Sequence, residues 1–390
     1  MLFVSKCLEK IPCPCYNYPT KFSRRKSMSN ISEIDANLAV NTVLEKDGMV
    51  FYDVRQKPFS IYGLYNSENQ DIFSRLPKDV ADATNDGVAF LYRHTAGGRV
   101  RFSSDSECIC IKVKLTGVCL FAHMPTTGVA GFDLFLDSPD GHESRFAGTF
   151  MPPFQANDDG YESKIELDGK KMRHFTINFP SYSGVRELLV GISQGSKLGK
   201  GLSYKDMPPI VYYGSSITQG ACSSHPGNIY QNVICRRTNI DYVNLGFSGS
   251  CRGEDAIADY MAKIDMSAFV CDYDHNAPSS EHLDATHYKL YEKIRAVHPT
   301  IPYIMISKCD IDQGGYQNHL ARRDVIYESY RKARANGDKN VYYIDGASVF
   351  RGTYQNMCTV ESCHPNDLGF ALMADAIGAE LERAFTQSLF

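Results

Sequence analysis

The sequence predicts an α/β domain, a parallel sheet with helices on both faces, preceded by an all-β sandwich domain of jelly-roll type. Three observations carry this. The chain has 390 residues, and at about 150 residues per domain it is too long for one core. Its first half breaks into many short strand-like runs with turn residues between them. Its second half alternates β-rich runs with helical periods, the pattern of a parallel sheet covered on both sides. The expected divisions are a basic leader over 1–27, the sandwich over 28–205 and the α/β domain over 206–390.

The leader holds Lys6, Lys10, Lys21, Arg24, Arg25 and Lys26 against the single Glu9. It lacks the apolar stretch of roughly 7–15 residues that a secretory signal needs; basic and nearly free of acids, it reads either as a transit peptide or, the favoured reading, as a misannotated upstream start with Met28 opening the protein, and it is set aside. Strands are expected at 49–54, 59–65, 88–92, 100–103, 108–115, 118–124, 132–136, 146–150, 164–167, 174–179 and 187–191, with essentially no helix among them. The run Ile111-Lys112-Val113-Lys114-Leu115 alternates strictly, as a strand with one wet face should. Turn residues such as Gly97-Gly98, Asp158-Asp159-Gly160 and Ser183-Gly184 punctuate the series. The Gly/Lys/Ser stretch from Gly195 to Lys205, closing on Pro208-Pro209, reads as the linker. Its Gly195–Gly201 part departs in spacing from a phosphate loop. Beyond it, strands at 210–213, 242–245, 268–272, 303–307 and 341–344 alternate with helices at 228–237, 254–264, 284–297, 322–336 and 367–385.

Composition excludes several classes. Hydrophobic residues make up 43% and charged residues 22%, an ordinary globular balance. No apolar run is long enough to cross a bilayer. A net charge of −4 argues against a nucleic-acid partner. The 13 cysteines have no framework spacing, which suits free thiols in a reducing, cytoplasmic setting. No close Cys/His pairs offer the usual zinc spacing, so neither metal nor cofactor is implied. There is no Trp among the aromatics, so a stacking platform would have to be Tyr or Phe.

In such a sheet the ligand site lies beyond the carboxyl ends of the strands. After the first strand comes Gly214-Ser215-Ser216, a serine on a tight strand-to-helix turn, suited to a nucleophile. After the second comes Gly246-Phe247-Ser248-Gly249, whose last glycine can present a bare N–H to an oxyanion. After the third, Asp274-His275-Asn276 supplies a side-chain amide donor. Past the fifth, Glu361-Ser362-Cys363-His364 offers a base with a carboxylate three residues before it.

These blocks, in this order, resemble those of the SGNH/GDSL-type hydrolase superfamily over residues 206–390. Gly131-Phe132-Asp133-Leu134-Phe135 resembles the G-x-D-L-Y motif of a β-sandwich that precedes some of these enzymes, with Phe135 in place of the Tyr. The resemblance implies a serine esterase acting on carbohydrate acetyl groups. It implies Ser216 as nucleophile, His364 as base, and Gly249, Asn276 and the Ser216 N–H as oxyanion donors. Glu361 stands where the family has Asp; it, a backbone carbonyl, or no acid at all would then orient the histidine. A lipase- or thioesterase-type acyl hydrolase on the same site, and a carbohydrate-binding protein with a decayed catalytic half, are the alternatives.

Arg252 lies beside the oxyanion loop, where it would touch a polar substrate or pair with Glu254 or Asp255. His275 and Tyr273 flank Asn276 as pocket wall, with buried packing the other reading of Tyr273. Asp367 is expected to cap the last helix, and His282 and His287 to face solvent. The expected partner is an acetylated carbohydrate, with a homo-oligomer possible and no membrane.

Overall fold

The computed structural model describes residues 35, 39–44, 48–139, 144–310, 316–352 and 354–387. The basic leader lies outside them. Residues 41–390 form one unit. Its first half contains β1 (Met49–Asp53), β2 (Ser60–Tyr62), α1 (Lys78–Thr84), α2 (Asp86–Leu91), β3 (Arg99–Ser104), β4 (Cys108–Thr116) and the short α3 (Thr126–Val129). These are followed by β5 (Phe132–Asp137), β6 (Arg145–Phe150), β7 (Tyr161–Glu166), β8 (Arg173–Asn178), β9 (Gly184–Ser193) and β10 (Leu198–Lys200).

The strands form two antiparallel sheets, ordered β1-β9-β4-β7 and β10-β3-β8-β5-β6, with β2 added on β3. Val100, Phe102, Ile109, Ile111, Val113, Phe132, Leu134, Phe175, Ile177, Leu188 and Val190 bury their side chains in one core between the sheets. On β4 the alternation appears as read: Val113 and Leu115 are buried, while Lys114 is exposed.

The second half is a five-stranded parallel sheet ordered β12-β11-β13-β14-β15. Its strands are β11 (Ile210–Gly214), β12 (Tyr242–Gly246), β13 (Ala268–Asp272), β14 (Tyr303–Ile306) and β15 (Val341–Ile344). The main helices are α4 (Ser216–Gln219), α5 (Tyr230–Thr238), α6 (Asp255–Met261), α7 (Ser280–Val297), α8 (Tyr316–Ala335) and α9 (Asp367–Gln387). Two apolar layers cover the sheet, one built on Leu245, Phe269, Leu290 and Ile294, the other on Val270, Ile304, Phe370 and Ile377. Strands sandwiched this way are apolar throughout, which is why they read as continuous runs. Among the described residues no helix is long and apolar enough to cross a membrane.

Several expectations are corrected. Residues 88–92 are not a strand. They close α2, whose N-cap Asn85 accepts a hydrogen bond from the Val88 N–H at 2.9 Å. A five-residue apolar run fits either period, and the cap decides for helix. Leu76, Ala81, Val88 and Leu91 pack with the α/β core, so this stretch of the first half covers the second. Residues 118–124 pair with no strand; they follow Gly117, at φ +60°, and reach toward the α/β half. The stretch read as linker contains β10, which extends the sandwich by pairing with β3.

Candidate active site

Three strand ends are knitted together by their backbones. The Ser215 N–H donates to the Asp272 carbonyl at 3.1 Å, and the Phe247 N–H donates to the Gly214 carbonyl at 2.9 Å. A Cβ on Gly214 would sit 2.2 Å from the Asp272 carbonyl oxygen, so only glycine lets β11 turn there. Ser216 opens α4 immediately afterwards. Its Oγ lies 2.8 Å from His364 Nε2, and the Ser216 side chain is nearly buried.

His364 sits in the loop ahead of α9. Its Nδ1 faces Glu361 Oε1 in a close contact, and its own N–H donates to the same oxygen at 3.2 Å. Between Glu361 and His364 the backbone takes a left-handed turn, with Ser362 at φ +69°.

The loops after β12 and β13 are equally ordered. The Ser248 N–H donates to Gln219 Oε1 at 2.9 Å and the Ser250 N–H to the Phe247 carbonyl. The Gly249 N–H between them has no acceptor among the described residues. Gly249 has φ +67°, and a Cβ built there would meet nothing within 4 Å. The glycine therefore serves the left-handed turn rather than a close approach. Asn276 Oδ1 accepts from the Cys251 N–H at 3.3 Å. This fixes the amide and leaves its NH2 without a partner among the described residues.

The sandwich half braces this arrangement. Buried Arg75 donates to the Asn244 carbonyl and to the Gly246 carbonyl at the end of β12, and its guanidinium lies 4.2 Å from the Phe247 ring centre. Gln219 Nε2 donates to the Ser181 carbonyl at 3.0 Å. Asp133, from the Gly131–Phe135 motif, is fully buried. One oxygen accepts from Asn178 at 2.6 Å, while the other holds His225 Nδ1 at 2.6 Å and the Gly227 N–H. The motif is thus a joint: it pins the 223–227 loop of the α/β half. Ser224 in that loop donates through its N–H to Asp367 at 2.8 Å.

The structure places five further side chains singled out in the sequence. Tyr273 is 1% exposed. Its ring stacks on His287 and its hydroxyl meets Thr286 Oγ1 at 2.8 Å, so it is core and not pocket wall. His287 does not face solvent: it is buried, and desolvation pushes its pKa down to about 4. Asp367 holds Ser224 and Asn228 instead of capping α9; Asn366 Oδ1 takes the Leu368 and Gly369 N–H groups. Arg252 is exposed, and its contact with Glu254 is through the backbone N–H at 3.2 Å. His275 lies close to Cys363 and Asp274, and burial, then Lys308 and His364, hold its pKa well below the ordinary histidine value.

Sequence reading missed His123, from the 118–124 segment. Its ring centre is 5.7 Å from that of His364. With Ala122, Met124, Pro125, Cys222, Val360 and Leu368 it lines a largely apolar cavity of about 630 Å³. Nothing in the local sequence links a sandwich loop to a histidine 241 positions away. Only the fold does.

Asp272, at the end of β13, accepts from Thr218 Oγ1 at 3.2 Å. Burial, then neighbouring Asp274, push its carboxyl up from 3.8 to about 8. In the fold it is a neutral acid near pH 7, whereas in the unfolded chain it ionises near pH 4. The fold binds the extra proton across that window, so the Asp272 contribution to stability is lost as pH rises from about 4 to about 8. Asp272→Asn should narrow the difference between urea-unfolding free energies measured at about pH 5 and about pH 8. An unchanged difference would remove Asp272 from this account.

A serine, an imidazole and a carboxylate in line at the strand ends of a parallel sheet define a serine hydrolase of SGNH type. Residues 207–382 match the GDSL-like Lipase/Acylhydrolase family model, and residues 49–198 match the N-terminus of the Esterase_SGNH_hydro-type proteins. Residues 207–382 belong to the GDSL-like lipase/acylhydrolase family, and the protein is a carboxylic ester hydrolase. No curated protein matches it. Among solved structures, a protein described as a GDSL-like lipase from Bacteroides ovatus is 25% identical, with a TM-score of 0.78 over 87% of this chain and 98% of that one. The salicylyl-acyltransferase SsfX3 of a tetracycline biosynthetic pathway is 17% identical, with a TM-score of 0.67 over 87% and 98%. A family two carbohydrate esterase from Clostridium thermocellum, in complex with cellohexaose, is 16% identical, with a TM-score of 0.55 over 75% and 93%.

Proposed function

We propose that the protein is a serine esterase that removes small acyl groups, acetyl foremost, from carbohydrates. The observation that carries the chemistry is the line Ser216 Oγ, His364 Nε2 at 2.8 Å, and Glu361 against Nδ1. Ser216 Oγ attacks the ester carbonyl as His364 Nε2 takes its proton. Negative charge gathers on the carbonyl oxygen, toward which the N–H groups of Ser216 and Gly249 and the Asn276 amide would donate. His364 then passes the proton to the leaving alcohol, giving an acyl-serine. Water, deprotonated by the same nitrogen, hydrolyses the acyl-enzyme.

The carbohydrate assignment draws support from the motif pair and from the cellohexaose bound by one structural neighbour. With no Trp in the chain, the half-exposed Phe121, 5.8 Å from His123 between ring centres, is the flat face available to a sugar ring. All ten described cysteines are free and most are buried, in keeping with a reducing, cytoplasmic setting.

One observation favours a second reading. The cavity walled by Met124, Pro125, Val360 and Leu368 is much larger than an acetyl methyl needs, and it would suit a longer or aromatic acyl group. Two measurements separate the readings: rates on p-nitrophenyl acetate against the octanoate, and acetate release from acetylated xylan, mannan and chitin oligomers. The carbohydrate reading expects acetate to be preferred and at least one oligomer to be deacetylated. If every oligomer is inert while the octanoate turns over faster, the second reading takes its place.

A further inference from the structure

We propose that His123, Cys222, Glu361 and His364 form a zinc site that switches the esterase off. Each offers one ligand atom, and all four atoms lie within 4.8 Å of one another. The edges of a tetrahedral zinc site, with bonds of about 2.0–2.3 Å, are about 3.3–3.8 Å, so the wider pairs close up while the Glu361–His364 contact opens. Two imidazoles, a thiolate and a carboxylate make a donor set that zinc favours. The ligands come from three separate loops, which is why sequence spacing gave no sign of zinc.

Two further observations point to this cluster. Among the described residues, four other than glycine have positive φ: Asn66, Cys222, Asn239 and Ser362. Asparagine tolerates that conformation; cysteine and serine do so at a cost. Cys222 is held there at φ +69° beside the cluster, and Ser362 at φ +69° lies between two of its ligands. The second is access. His123 and Cys222 both line the open cavity of about 630 Å³, which gives an ion a path from solvent.

The charges balance. Zinc takes cysteine as the thiolate, so the Cys222 thiol gives up its proton on binding. A zinc dication displaces that proton to solvent and meets one thiolate, one carboxylate and two neutral imidazoles, so the loaded site is neutral. One proton leaves per zinc bound. Binding takes Glu361 and His364 away from the arrangement that serves Ser216. Ester hydrolysis then stops for want of a base.

The switch rests on the Ser216–His364 reading above; metal binding does not, so the two can fail separately. Zinc chloride is titrated into the full chain against a chromophoric chelator, and cobalt(II) is added as an optical probe. One metal per chain is expected, with a cobalt–thiolate charge-transfer band that Cys222→Ser abolishes. Hydrolysis of p-nitrophenyl acetate should fall at least about tenfold with bound zinc and recover on adding EDTA. Cys222→Ser and His123→Ala, each compared with its own metal-free rate, should need at least about tenfold more zinc, the loss expected when one of four ligands goes. Cobalt bound without the band, or Cys222→Ser binding zinc as the wild type does, overturns the site. Zinc bound through Cys222 with hydrolysis undiminished overturns the switch. An inactive metal-free enzyme would count against the esterase mechanism while the binding titration still decides the site.

Discussion

Ser216→Ala is expected to lower kcat for p-nitrophenyl acetate about a million-fold while leaving the melting temperature where it was. Both halves follow from what the hydroxyl touches. Among the described residues its one hydrogen bond is to His364 Nε2, so removing it costs the fold little. The turn that carries it is held by other atoms: the Ser215 hydroxyl accepts from the Ile217 N–H, and the Ser216 carbonyl accepts from Gly220 and Ala221. Chemistry loses its covalent route altogether, and only carbonyl polarisation by the oxyanion donors remains. A fluorophosphonate probe gives a second reading of the same atom. It should add one phosphonyl mass to the wild type, mapped to the peptide containing Ser216, and none to the variant. Variant rates within about tenfold of wild type would dismiss Ser216 as nucleophile.

What could be read from the sequence divides along a physical line. The five parallel strands were legible because strands covered on both faces must be apolar throughout, and 268–272 and 341–344 emerge residue for residue. The sequence pointed to Ser216, Gly249, Asn276 and His364 because each lies beyond the carboxyl end of a strand, where a parallel sheet gathers its loops. The errors fall where two local signals compete or where the decisive partner is remote. Val88–Leu91 is apolar without a period long enough to separate strand from helix, and the Asn85 cap carried the information. Tyr273 was placed beside Asn276 correctly along the chain, but its side chain turns into the core against His287. The Asp133 motif could be recognised, yet its partners, His225 and Gly227, lie more than ninety residues away. No pattern in either segment shows that one holds the other. Glu361 was the hardest case, because its reach depends on the backbone angle at Ser362.

That angle gives Glu361 a sharp test. Glu361→Gln is expected to cut kcat between about a hundred- and ten-thousand-fold, the upper figure being the loss when an orienting acid is replaced by its amide. Glutamine keeps the length but can turn its NH2 toward Nδ1. The imidazole then carries its proton on Nε2, where it donates to Ser216 instead of accepting from it. The Glu361 side chain is 35% exposed, so water can partly replace it, which favours the lower part of the range. Glu361→Asp probes the geometry separately. It restores the acid common in the family but shortens the side chain in a loop whose left-handed turn at Ser362 is set for glutamate, so it should recover only part of the loss. Adding Ser362→Gly frees the backbone to leave the φ +69° conformation and close on the shorter acid, and the double variant should outpace Glu361→Asp alone. If Glu361→Gln keeps kcat within about threefold of wild type, the carboxylate is not the orienting group in the acyl transfer. If the double variant gains nothing over Glu361→Asp, the left-handed serine is not what lets a glutamate take that place.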